Sequence, residues 1–154
     1  MKCKNCLKTP GYHSFDYITD ISGIAYYMCF PAKNKQSVKT QEDMLNFVSH
    51  FPKEKKWSLF FVMKGYGFSN MMPISIAWEL AKIVFRDYAT SLQRIYILEG
   101  SWFLRFLFLT FPLFGNDIQE KFVLVEGSPL EVLAQLQKTG ISFSKLEPIW
   151  KFLT

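Results

Sequence analysis

Apolar residues along the chain fall into short continuous runs, separated by polar stretches and by segments with helical spacing. Ile24–Phe30 (Ile-Ala-Tyr-Tyr-Met-Cys-Phe) is a β-prone run closed by Pro31 and predicts a first strand. Ala32–Lys39 is polar and reads as a loop. Thr40 then offers a hydroxyl N-cap, with Gln41, Glu42 and Asp43 in the first turn, where the positive end of a helix favours acids. Met44, Phe47, Val48 and Phe51 follow at i, i+3, i+4 and i+7, which makes one apolar face, and Pro52 stops the helix.

Trp57–Met63 is almost entirely apolar, the pattern of a strand buried on both faces, and the chain leaves it through Lys64-Gly65-Tyr66-Gly67. Pro73 suits the first turn of a helix running to about Tyr88. Its polar stripe is Ser75, Glu79, Lys82 and Arg86, with Ile76, Ala77, Leu80, Ile83 and Val84 opposite. Arg94–Leu98 predicts a third strand, and Glu99-Gly100-Ser101 leads into Trp102–Phe111, a helix apolar nearly all round. Lys121–Val125 predicts a fourth strand. Ser128-Pro129-Leu130-Glu131 is a capping box with proline at the first helical position, opening a helix to about Lys138 that Gly140 ends. This alternation predicts an α/β fold, a mainly parallel sheet covered by helices. Residues 1–22 read as an irregular lead-in, and 23–154 as a single domain.

Composition sharpens this in one respect. Aromatic residues reach 18% with 16 Phe, concentrated between Trp57 and Phe114, so the rings line either a dense core or an apolar cavity. The net charge of +5 gathers in Lys2–Lys8, Lys33–Lys39 and Lys53–Lys56, which favours anionic partners or serves as solubilising surface. Lysines and aromatics are segregated, which argues against nucleic acid. No apolar stretch follows the basic N-terminus, and the longest greasy run, Trp102–Phe114, is broken by Arg105 and Pro112. That run falls short of the roughly 18–20 residues a bilayer requires, so a cytoplasmic protein is expected.

Candidate chemistry is sparse. Three cysteines exclude a complete disulfide framework. Cys3 and Cys6 form a CxxC whose nearest further ligands are His13 and Cys29. That irregular spacing predicts two exposed thiols on a frayed tail, a buried inert Cys29, and no metal site. Gly65-Tyr66-Gly67 lacks the third glycine of a dinucleotide loop, position 70 being Asn, and no cofactor motif is present. Only His13 and His50 could serve as a histidine base, and no nucleophile elbow accompanies them, so no enzyme is expected. Trp102–Phe114 is the informative segment, with only Arg105 and Thr110 polar. It is a central core helix, a dimer interface, or a cover over an apolar ligand cavity that touches membrane.

Residues from Trp57 to about Glu147 resemble the CRAL-TRIO lipid-binding domains. The resemblance rests on the Lys64–Gly67 turn, Tyr88-Ala89-Thr90-Ser91-Leu92 where the family has Tyr-Pro-Glu-Arg-Leu, and Ile95-Tyr96-Ile97-Leu98 where it has Tyr-Ile-Ile-Asn-Ala-Pro. The apolar helix with its late proline follows, then Lys121-Phe122-Val123-Leu124 and Gly127-Ser128. Phe30-Pro31-Ala32 through Gln41–Leu45 is similar to the versions in Rho exchange factors and Rho GTPase-activating proteins. The resemblance implies a bowl with a sheet floor and helix 102–114 as a gate over a lipid or phospholipid. Phe60, Val62, Ile95, Ile97, Phe103, Phe106, Leu107 and Phe114 are the implied acyl-chain contacts, with Glu79, Thr110 and Phe111 completing the lipid-binding set. Phosphatidylinositol-binding members carry Lys just before the gate-helix proline, where this chain has Phe111. Transient contact with a membrane surface is implied for a transfer protein. The alternative is a non-transferring interaction or membrane-targeting module of a Rho GTPase regulator, its cavity filled.

Overall fold

A computed structural model of the chain describes residues 3–67, 71–100 and 120–154. Its centre is a five-stranded sheet whose strands lie side by side in chain order: β1 (Asp16–Ile21), β2 (Ile24–Cys29), β3 (Trp57–Val62), β4 (Leu92–Leu98) and β5 (Phe122–Val125). β1 and β2 are antiparallel, and β2 to β5 are parallel. The hairpin between β1 and β2 turns on Ser22 and Gly23, with φ of 52° and 81°, the paired left-handed geometry that matches strand twist.

Helix α1 (Lys4–Lys8) precedes the sheet, α2 (Gln41–Val48) joins β2 to β3, and α3 (Ile74–Asp87) joins β3 to β4. After β5 come α4 (Pro129–Gln137) and α5 (Phe143–Leu153). The predicted α/β architecture is therefore what forms. Residues 1–22 depart from the expected irregular lead-in, since they supply α1 and the antiparallel edge strand β1.

The sheet is covered on both faces. Tyr26, Phe60, Val62, Leu98 and Val125 face α4 and α5, meeting Val132, Leu136, Leu146 and Ile149 in one core. Ala25, Cys29, Trp57, Leu59 and Leu92 face α2 and α3, meeting Met44, Phe47, Val48 and Val84 in another. Thr40 caps α2 through Asp43 N–H at 3.1 Å. The Ser128–Glu131 capping box forms in both directions, with Ser128 N–H donating to Glu131 at 2.7 Å. Lys64 Nζ donates to the Leu153 carbonyl at 3.0 Å and ties the end of α5 to the turn after β3. Among the described residues, no helix is long and apolar enough to cross a membrane.

Candidate functional site

On the face that α2 and α3 cover, side chains leave an apolar cavity of about 180 Å³. Its floor is the sheet: Leu59 and Phe61 from β3, Ile95 and Ile97 from β4, and Phe122 from β5. These five share a face because the parallel register sets Leu59 beside Ile95, Phe61 beside Ile97, and Ile95 beside Phe122. One wall is Phe47 on α2 and Phe51 just after it. The other is the stripe Ile74, Ala77, Leu80, Ala81 and Val84 on α3, where two alanines a turn apart leave the space that larger residues would close. At the end of β4, Gly100 is needed as glycine, because a Cβ there would run into Ile97.

No charged side chain lines the cavity among the described residues. Its polar groups are few. The Tyr66 hydroxyl accepts the Met72 N–H at 2.8 Å, and burial pushes its pKa up. Cys29 is fully buried, and desolvation drives its thiol far above the ordinary value, so it stays protonated. Trp57 is 1% exposed, and its Nε1 is the buried side-chain donor without a hydrogen-bond partner among the described residues. The site can thus hold an apolar body, with Asn34, Ser37 and Tyr66 as the uncharged polar side chains in its lining.

The sequence-predicted residues divide sharply. Ile95 and Ile97 lie in the lining of this cavity. Phe60 and Val62 do not: β3 presents them to the opposite face, where Phe60 packs on Tyr26 and Tyr96 with ring centres 5.7 and 5.1 Å apart. A strand apolar on both faces gives no alternation from which parity could be read, and Leu59 and Phe61 were missed for that reason. Glu79 is also outside the cavity. It is half exposed and pairs with Lys82 at 3.1 Å, the solvated role that its place on the polar stripe suggests. Phe103, Phe106, Leu107, Thr110, Phe111 and Phe114 lie outside the described residues.

The tail cysteines also differ from expectation. Cys3 is 3% exposed and Cys6 is half-buried, so they are not thiols on a frayed end, and Cys29 lies apart from them in the cavity lining. Of the basic patches, Lys55 pairs with Asp20 at 2.5 Å, and Lys33 sits over the rings of Phe30 and Phe152 at 4.3 and 4.8 Å. Comparison with curated proteins finds no match to the chain. Comparison with protein families finds one: the model of the CRAL/TRIO domain matches residues 32–139, more than half of the chain.

Proposed function

The chain belongs to the CRAL/TRIO domain family, whose members generally bind or transfer lipids rather than catalyse, and from that premise we propose that it holds one hydrophobic lipid in the α2/α3-face cavity. The observation that carries this reading is an apolar cavity with no charged group in its described lining, built on Leu59, Phe61, Ile95 and Ile97. Each methylene buried there contributes about 0.8 kcal/mol, so affinity needs little polar help.

Segment 102–114 is the proposed gate. What supports that role is its sequence, apolar throughout except for Arg105 and Thr110. Opening of the gate against a membrane surface then makes the protein a transient peripheral partner of cytoplasmic membranes.

Native mass spectrometry of the protein purified from cells, with lipid extraction, tests the reading. A co-purifying lipid of defined mass is expected, and it should be lost when Phe106 and Leu107 are both replaced by Asp. A ligand-free mass in the native protein, with no uptake from vesicles, would refute it. A second reading has its own support. The cavity is smaller than the roughly 300–1,000 Å³ of typical ligand sites, which suits a filled interaction module of a Rho GTPase regulator. Binding to a Rho-type GTPase or its regulator without lipid uptake would favour that reading.

A further inference from the structure

The CxxC of the tail does not stand alone. The chain from α1 to Phe15 runs beside the end of α2, and this brings Cys3, Cys6, His13 and His50 together with their ligand atoms all within 4.8 Å of one another. Cys3 Sγ lies 3.4 Å from His13 Nδ1, Cys6 Sγ 3.9 Å from the same nitrogen, and Cys6 Sγ 3.5 Å from His50 Nε2. A tetrahedral zinc with Zn–S near 2.3 Å and Zn–N near 2.0–2.1 Å separates sulfur from nitrogen by about 3.5 Å. The cluster has the dimensions of such a site.

Its surroundings hold the ligating atoms in place. His13 Nε2–H donates to Asp43 Oδ1 at 3.1 Å, which leaves the Nδ1 lone pair facing the two sulfurs. Asn5 Nδ2 donates to that same carboxylate oxygen at 2.9 Å and fixes its position. A carboxylate holding the far nitrogen of a ligating histidine is the usual support of a protein zinc site. The backbone N–H of Cys6 donates to Cys3 Sγ at 3.2 Å, and that of His13 to Cys6 Sγ at 3.4 Å, which orients both sulfurs. The rings of His13 and Phe47, 5.5 Å apart, and of Phe15 and His50, 5.8 Å apart, flank the cluster with apolar surface.

We propose that Cys3, Cys6, His13 and His50 form a structural zinc site that fastens the N-terminal segment to the end of α2. Two thiolates and two neutral imidazoles make a neutral complex with Zn²⁺, and the two thiol protons go to solvent. Four protein ligands leave no open position, so the metal is structural. This replaces the expectation of no metal site, which took Cys29 rather than His50 as the fourth candidate. The inference is independent of the lipid reading.

The test uses the full chain, free of any histidine tag. Elemental analysis after reconstitution should give one zinc per chain, and cobalt(II) in its place should give the intense visible bands of a tetrahedral, thiolate-bound ion. Cys3 and Cys6 should resist alkylation until a chelator is added. His50→Gln should abolish stoichiometric zinc, whereas Asp43→Asn should keep one zinc and weaken its binding about 10–100-fold. Sub-stoichiometric zinc, an octahedral cobalt spectrum, or alkylation of Cys3 and Cys6 that zinc does not slow would each overturn the proposal. The wild-type measurements decide even where a variant fails to fold.

Discussion

Leu59 and Ile95 stand beside one another in the register between β3 and β4, and both line the cavity, while Phe60 and Tyr96, one residue on, both face α4 and α5. The two faces of one strand pair therefore do separate work, and substitutions can address them separately.

Filling the cavity should block the ligand without harming the fold. Ala77→Phe, on the α3 wall, is expected to lower lipid uptake at least ten-fold with an unchanged or raised melting temperature. Tyr96→Phe on the opposite face should leave uptake as it is. Native mass spectrometry after vesicle incubation, beside a thermal melt, reads both.

Emptying the other core should do the reverse. Phe60 is fully buried between Tyr26 and Tyr96, so Phe60→Ala should cost about 3–5 kcal/mol by denaturant titration. Protein that remains folded should still carry the lipid.

The α4 capping box supplies a surface prediction. Ser128→Ala removes the acceptor of the Glu131 N–H and should cost about 1 kcal/mol, seen as a lower urea midpoint with an unchanged slope.

Alkaline pH should weaken the fold. Burial holds the Cys29 thiol protonated in the native protein, whereas the unfolded chain releases that proton near its ordinary value of 9.0. The unfolded state then binds fewer protons, so stability is intact below about pH 9 and falls as pH rises beyond it. Buried Tyr26 and Tyr88 and half-buried Tyr66, all raised by desolvation, add to the same slope from about pH 10. Cys29→Ala should flatten the first part of that decline in pH-dependent denaturant titrations.

Much of this architecture is legible in the sequence where one element's signal is local. The Thr40 cap, the apolar face Met44–Phe51, and the Ser128–Glu131 box each specify a helix within a few residues, and all three form. β1 was not legible, because Asp16–Ile21 buries only Ile18 fully, and a register shift between Tyr17 and Thr19 breaks its alternation. α5 was hidden by Pro148, which sits inside it. The helix bears that proline because the carbonyl it leaves unbonded belongs to exposed Ser144, within reach of water. The cavity face of β3 and the meeting of Cys6 with His50, 44 positions apart, depend on tertiary register and had no local signature.

Helix α2 and the turn after it serve both sites at once, since Phe47 and Phe51 touch the cavity and His50 between them points to the cysteines. Any coupling between the two proposed sites would run through this turn, and it would be reciprocal by thermodynamic necessity. A zinc ion that stiffened this turn in the lipid-holding geometry would tighten the proposed lipid, and a bound lipid would tighten zinc by the same factor. Cargo retention would then track the supply of a trace nutrient.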